Sequence, residues 1–389
     1  MTYRFSPGMT EAVRLTQAGQ LTEATALIRA LLQNPGKPAD APAQQDSGSG
    51  DLIEGTATRL DPVTPSPEPQ RGAARKRQSL RETLREIAAG GMPAQSPLSG
   101  PDLELPEGAA FALHTHRSAR AARDYRLYVP STARQVPMPL IVMLHGCTQT
   151  PEDFAAGTGM NVLAEEFGCL VAYPAQPSGA NSSKCWNWFR PEDQGRDRGE
   201  PALIAGIIRD ILRTHPVDPA RVYVAGLSAG GAAAAIVAAA YPDLIAAVGV
   251  HSGLPVGAAR DVPSAFAAMR SGAGAGARAA GTPMPTITLH GDADTTVHPK
   301  NGAAVAARAR SAYKGLKKSV VQGTSEGGRA YRRTCHAAQG VTVAEEWEVA
   351  GAGHAWAGGR AAGSYTDPAG PDASREMVRF FLSHRLRGA

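Results

Sequence analysis

The chain has 389 residues, a formal net charge of +5 and a hydrophobic share of 43%. These values are ordinary for a globular protein of one large or two medium domains with a sizeable core. No stretch approaches the about 18 consecutive apolar residues of a membrane span, and the four cysteines do not form a dense disulfide framework.

The first 105 residues differ in composition from the rest of the chain. Residues 8–33 carry apolar side chains at helical spacing and predict an amphipathic helix. Residues 34–78 are rich in Pro, Ala, Gly, Ser, Asp and Gln, which is typical of a disordered linker. A short helix is predicted at residues 80–89. We therefore expect a largely disordered N-terminal extension, residues 1–105, before a folded domain at residues 106–389.

Basic residues cluster within this extension, at Arg71, Arg75, Lys76, Arg77, Arg81 and Arg85. Such a cluster is compatible with contact to a nucleic acid or an anionic surface. A solvated linker helix is the simpler interpretation, so we expect no nucleic-acid partner. The extension as a whole is a candidate interaction or adsorption module.

From residue 109 onward, predicted strands and helices alternate. A leading hairpin at 111–116 and 125–129 precedes strands at 140–144, 170–173, 221–226, 246–250, 286–289 and 341–349. Helices are predicted at 151–167, 201–214, 229–240, 300–313 and 373–386. Strands separated by helices at this spacing indicate right-handed βαβ units, and therefore an α/β fold with a mostly parallel, doubly wound sheet.

The strongest motif is the pentapeptide Gly-Leu-Ser-Ala-Gly at residues 226–230, between an apolar strand and an Ala-rich helix. A sharp turn from strand into helix exposes a serine Oγ above the sheet, and small flanking residues let the two backbones approach. The motif predicts an α/β-hydrolase with Ser228 as nucleophile. The alternative is an ordinary small-residue helix start with the serine as its N-cap.

A serine needs a positioned base, and in this fold the acid and the histidine follow the nucleophile in that order. His354 lies in a Gly-Ala-Gly-His-Ala-Trp segment between the last predicted strand and the last helix. We predict that His354 is the general base. For His290, at the end of a strand, a packed or hydrogen-bonded role is the preferred interpretation.

The acid is expected after the penultimate strand, where Asp292 and Asp294 both follow Leu289. Spacing alone does not separate the two. We favour Asp294, because the position nearer Val297 projects towards the histidine, and we interpret Asp292 as a turn residue.

Acyl transfer also needs N–H donors for the developing oxyanion. The residue after the nucleophile, Ala229, is one candidate. The second donor is expected in the loop after the 140–144 strand, with the Cys147 N–H preferred over that of Thr148. Gly146 would supply a backbone bend there.

The motif set resembles a known family. The segments LIVMLHGCTQTPEDF, CWNWF, VDPARVYVAGLSAGGAAA, HGDADTTVHP and GAGHAW, in this order, are similar to the polyhydroxybutyrate (PHB) depolymerase type 1 catalytic domain. That family is related to feruloyl and acetylxylan esterases. The resemblance covers about residues 107–389 and implies a single α/β-hydrolase domain with Ser228, Asp294 and His354 as its triad. It also implies that Cys147 pairs with Cys185.

Two tryptophans, Trp186 and Trp356, lie on loops near the predicted mouth of the site and are candidates for substrate binding. Packing beneath a loop is the alternative for each. No His/Cys cluster has zinc-ligand spacing and no glycine-rich phosphate loop occurs, so we expect neither a metal nor another cofactor.

The sequence thus predicts a monomeric serine esterase that hydrolyses poly(3-hydroxybutyrate)-type polyesters or their oligomers. A feruloyl or acetylxylan esterase is the alternative. A non-catalytic binding module would lack a triad member, and all three are present. The resemblance implies an extracellular protein, whereas the N-terminus shows no apolar run of the length of a secretory signal and favours the cytoplasm.

Overall fold

A computed structural model describes residues 103–386, apart from 119–120, 134–135, 275–283 and 312. The chain divides into two units, Met1–Arg75 and Lys76–Ala389, and every described residue belongs to the second. The predicted helices at 8–33 and 80–89, the linker between them and the basic cluster therefore lie outside the described residues.

Ten strands of the described chain form one large sheet in the order β1-β2-β4-β3-β5-β6-β7-β10-β9-β8. The strands are β1 (Ala110–Arg117), β2 (Ala122–Val129), β3 (Met138–Leu144), β4 (Leu170–Pro174), β5 (Val217–Leu227), β6 (Ala247–His251), β7 (Thr286–Gly291), β8 (Lys317–Thr324), β9 (Ala330–Ala338) and β10 (Val341–Val349). The six central strands pair in parallel, while β1, β2, β8 and β9 pair antiparallel at the two sides. The mostly parallel sheet is confirmed.

Seven α-helices of the described chain accompany this sheet. They are α1 (Pro151–Thr158), α2 (Met160–Phe167), α3 (Gly199–Thr214), α4 (Ala229–Ala240), α5 (Val262–Ser271), α6 (Lys300–Ser311) and α7 (Ala373–Leu382). Two short strands, β11 (Trp356–Ala357) and β12 (Thr366–Asp367), pair separately.

The predicted single helix at 151–167 is wrong in one respect, because Gly159 divides it into α1 and α2. Gly159 has φ 62°, a left-handed conformation that ends α1. A Cβ at this position would also lie 2.6 Å from the Arg360 Nε atom, so that side chain would have to shift. The helix α5 and the strands β8 and β9 were not predicted.

The core lies on both faces of the sheet. Along β3, Leu140 and Val142 pack on one face with α3 and α4, whereas Ile141 and Met143 pack on the other with α1, α2 and α7. Every residue of β3 is buried. A strand covered on both faces needs apolar side chains at every position, which explains its continuous apolar run.

Candidate active site

The strand-to-helix turn at Ser228 lies at the carboxyl end of β5. Ser228 has φ 59° and ψ −120°, an unusual conformation for a non-glycine residue, and α4 begins at the next residue. Its N–H donates to the carbonyl of His251, the last residue of β6, at 2.9 Å. The hydrogen bond holds the turn against the neighbouring strand.

The two glycines of the pentapeptide are required for space. A Cβ on Gly230 would lie 2.0 Å from the carbonyl oxygen of Leu144 and 2.5 Å from that of His145. A Cβ on Gly226 would lie 2.4 Å from the Gly230 carbonyl. The absence of these side chains brings the turn into contact with the loop that follows β3.

The loop after β7 places Asp294 against His354. The Asp294 Oδ2 atom is 2.7 Å from His354 Nδ1, and its Oδ1 accepts the N–H groups of Thr296 and Val297, both at 2.8 Å. Burial alone would raise the pKa of this carboxyl, but its hydrogen bonds with His290, His354 and a backbone N–H hold that pKa well below its usual range. Asp294 is therefore an ionised acceptor for the imidazole.

Asp292, the alternative acid, occupies a different place in the same loop. It is exposed, and its Oδ1 accepts the N–H of Gly351 at 2.7 Å. This contact braces the turn before His354 rather than the imidazole itself. The geometry therefore separates two carboxylates that spacing alone did not.

His354 has a buried side chain whose two nitrogens are in different situations. The Nδ1 atom faces an ionised carboxylate and so carries the proton. The Nε2 atom is buried and has no hydrogen-bond partner among the described residues, Ser228 included. A neutral imidazole of this tautomer presents Nε2 as a proton acceptor.

The loop after β3 contains Cys147 and Thr148, the two candidates for the second N–H donor. The Thr148 N–H already donates to the Ser183 carbonyl at 2.7 Å, and Gly146 N–H donates to Gln149 Oε1 at 2.8 Å. Within the described part of the chain, neither Cys147 N–H nor Ala229 N–H donates a hydrogen bond. These two donors remain available for an oxyanion.

A disulfide joins this loop to the loop that carries Trp186. It links Cys147 and Cys185, 38 residues apart in sequence. The carboxylate of Glu200 fixes the second loop further, because it accepts the N–H and the Nδ2–H of Asn187, both at 2.8 Å, and a hydrogen bond from Gln176. The disulfide thus ties the Cys147 loop to a second loop that Glu200 holds in place.

The predicted substrate contacts of Trp186 and Trp356 need correction. Trp186 is 0% exposed and donates from Nε1 to the His145 carbonyl at 3.0 Å. Trp356 is 1% exposed and donates to Ser374 Oγ at 3.0 Å. Both indoles pack beneath the loops, which is the alternative that their sequence positions also allowed.

Sequence reasoning missed a buried histidine between the nucleophile and base loops. His251 Nε2 accepts the N–H of Ala357, three residues after His354, at 3.0 Å. Its ring stacks on Trp356 with centroids 5.0 Å apart. Burial lowers the pKa of His251 to about 3, so the ring is a neutral brace. The signal available in the sequence was its position at the end of a buried strand.

A second missed group joins the loop after His354 to the β3 loop. The Tyr365 hydroxyl lies 3.1 Å from Thr148 Oγ1, and the neighbouring Ser364 N–H donates to Asp153 at 2.9 Å. Gln149 also donates to Asp153, at 2.9 Å. Nothing in the local sequence pattern distinguishes these polar residues from ordinary loop positions.

Among residues 103–386 with the gaps given above, no cluster of three metal-ligating side chains occurs. No helix in this part of the chain is long and apolar enough to cross a membrane.

The sheet order and the strained serine define the class of protein, an α/β-hydrolase. An acetyl xylan esterase from Aspergillus awamori has the same fold, with a TM-score of 0.54 and 20% sequence identity. The superposition covers 70% of this chain and 99% of that one.

Residues 123–309 match the family model described as esterase PHB depolymerase. Poly(3-hydroxyalkanoate) depolymerase C of Paucimonas lemoignei is 35% identical over 56% of this chain and 54% of its own length. Feruloyl esterase B of Thermothelomyces thermophilus is 34% identical over 36% of this chain and 47% of its own length. The chain spans about half the length of these relatives. Residues 123–309 of this chain are therefore similar to the PHB depolymerase family of esterases.

Proposed function

We propose that Ser228, His354 and Asp294 form a catalytic triad that hydrolyses esters through an acyl-enzyme. The observation that carries this proposal is the 2.7 Å contact between Asp294 Oδ2 and His354 Nδ1. It lies at the carboxyl ends of the strands, where the strained Ser228 also lies. His354 removes the Ser228 proton as Oγ attacks the ester carbonyl, and Asp294 stabilises the imidazolium. The alcohol leaves with that proton, and water repeats the sequence on the acyl group.

The N–H groups of Cys147 and Ala229 hold the oxyanion in this mechanism. Their lack of acceptors among the described residues supports the assignment, since a donor already engaged, as in Thr148, offers no stabilisation.

The substrates are poly(3-hydroxybutyrate)-type polyesters or their oligomers. The similarity to the Paucimonas lemoignei depolymerase supports this substrate class. The similarity to feruloyl esterase B supports acylated plant polysaccharide as the second candidate. The Cys147–Cys185 disulfide supports action outside the reducing cytosol.

The test compares Ser228→Ala and Asp294→Asn with Asp292→Asn, a matched carboxylate in the same loop. Turnover of p-nitrophenyl butyrate is expected to fall at least about 10³-fold in the first two variants and to stay near wild type in the third. Equal losses in Asp292→Asn and Asp294→Asn, or substantial activity in Ser228→Ala, would contradict the triad.

Substrate class is measured separately on the wild-type enzyme. Release of 3-hydroxybutyrate from amorphous polymer and soluble oligomers is compared with hydrolysis of methyl ferulate and acetylated xylan. Faster release from the hydroxybutyrate substrates is expected. Faster hydrolysis of either plant substrate would leave the esterase assignment intact and would reject the polyester as the substrate class.

A further inference from the structure

A second histidine contacts the same carboxylate oxygen of the proposed catalytic acid as His354 does. His290 lies near the carboxyl end of β7, four residues before Asp294, and is 5% exposed. Its Nε2 atom is 2.8 Å from the Val297 carbonyl oxygen and 3.3 Å from Asp294 Oδ2. Both neighbours are acceptors, so Nε2 carries the proton. It donates to the Val297 carbonyl and lies in electrostatic contact with the Asp294 carboxylate.

The other nitrogen of His290 is closed off. Its Nδ1 atom is buried and has no hydrogen-bond partner in the described part of the chain. A Cβ on Gly302, in α6, would lie only 2.7 Å from it, so the helix backbone packs directly against the ring. This buried atom is therefore not exposed to a substrate or a water molecule. A role as an alternative base is therefore excluded by geometry.

With His290 included, each oxygen of the Asp294 carboxylate contacts two N–H groups. The N–H groups of Thr296 and Val297 hold Oδ1, while His354 and His290 both face Oδ2. The hydrogen bond from His290 also helps to keep the pKa of the carboxyl low. The contact to the Val297 carbonyl fastens the turn that supplies one of the Oδ1 donors.

We propose that His290 is a positioning residue for ester hydrolysis: it fixes Asp294 Oδ2 in line with His354 and fastens the acid loop to β7. This inference rests on the proposed triad. His290 acts only through Asp294 and touches no reacting atom. Its removal lets the carboxylate rotate away from His354, which lowers kcat and leaves substrate binding unchanged.

The experiment compares two amides at this position. In His290→Gln the longer side chain places an N–H donor near the former Nε2 atom, whereas the amide in His290→Asn is too short to reach Asp294. With p-nitrophenyl butyrate, kcat of His290→Asn is expected to fall about 10- to 100-fold, the worth of a hydrogen bond to a charged group. His290→Gln is expected to recover most of that loss, and KM is expected to stay within about twofold in both.

His384 provides the matched control. It is also a buried histidine, 7% exposed, with Nε2 2.8 Å from the Thr342 carbonyl, and it lies after α7. His384→Asn and His384→Gln are expected to lower the thermal midpoint as much as the His290 variants do and to leave kcat unchanged. Equal kcat losses at both histidines would mean that His290 is merely structural and would overturn the proposal.

A double variant separates failure of this inference from failure of the triad. In the Asp294→Asn background, His290→Asn is expected to cost no further activity, because its target is already lost. Full activity of Asp294→Asn alone would reject the triad. A severe loss in Asp294→Asn beside wild-type kcat in His290→Asn would reject the positioning role only.

Discussion

The middle and the outer edge of the sheet impose different demands on their side chains. At the middle, β5 leads into a turn where a single extra methyl group on Gly226 or Gly230 would overlap backbone atoms. At the edge, most of β8 is exposed, and Val320 and Val321 are 49% and 51% accessible. Both strands belong to one sheet, yet only the first is constrained by contacts on every side.

The polar groups of the two regions differ in the same way. The middle holds the buried imidazoles of His145 and His251, each with hydrogen bonds at both ring nitrogens. Next to the edge strand, β9 and β10 carry the solvent-accessible ion pair Arg332–Glu348, at 2.5 Å. Exposed pairs contribute little to stability, whereas buried polar groups are costly to disturb. The comparison predicts that a disturbance at the middle of the sheet lowers the free energy of unfolding strongly. A similar disturbance at the edge should change it little.

The largest effect is expected for Gly230→Ala. The added Cβ would lie 2.0 Å from the Leu144 carbonyl oxygen, and neither backbone can move without displacing β3 or α4. Ordinary overpacking of a core costs up to about 3 kcal/mol of stability, and an overlap with backbone atoms is expected to cost more. We therefore expect loss of folded, soluble protein. Circular dichroism and soluble yield are the measurements. Gly179→Ala, at an exposed glycine with open space around it, is the control and should fold normally.

Acid is expected to destabilise the middle of the sheet next most strongly. Burial lowers the pKa of His145 to about 4 and of His251 to about 3, against 6.5 in the unfolded chain. Below pH 6.5 the unfolded state binds more protons, so the free energy of unfolding falls as the pH drops towards 4. Each histidine contributes a loss of about 3 kcal/mol by pH 4, while the Asp294 contribution is lost only below about pH 4.

Urea unfolding between pH 7 and pH 4.5 measures this slope. His251→Gln is the matched variant, because its amide can accept from Ala357 but does not titrate. Its stability should depend less steeply on pH than that of the wild type, because one abnormally titrating imidazole is removed. An unchanged slope in this variant would show that other groups cause the acid sensitivity.

The smallest effect is expected for a Val→Thr change at the edge. Val321→Thr keeps a β-branched side chain on an exposed strand and should change the free energy of unfolding by at most about 0.5 kcal/mol. The same change at Val224, which is 0% exposed in β5, buries a hydroxyl and should cost about 2 kcal/mol. Chemical denaturation of the two variants gives the difference directly. Similar losses of unfolding free energy in the two variants would contradict the proposed difference between the middle and the edge of the sheet.

The parts of the fold that were predictable from sequence are those with a strict steric or periodic requirement. The small residues around Ser228 suit a tight strand-to-helix turn, and the continuous apolar run of β3 suits a strand covered on both faces. The strand β8 lacks an alternating pattern because both of its faces are exposed, so it gave no signal. The helix α5 is short, and a proline near its start resembles a loop.

Within the site, loop conformation was the unpredictable part. The exposure of Trp186 depends on how its loop folds around the distant Glu200, which no local pattern encodes. Spacing alone did not separate Asp292 from Asp294, and their contacts with Gly351 and His354 distinguish them. The role inferred for His290 likewise requires the position of Asp294 in space.

The disulfide between Cys147 and Cys185 has a consequence for a chain that a protease has cut. It closes a covalent ring that contains α1, α2 and β4, together with the exposed residues 177–179. A break of one peptide bond within the ring leaves both fragments attached to each other. The nicked molecule stays in one covalent piece with its oxyanion loop, and separates into two fragments only after reduction and unfolding.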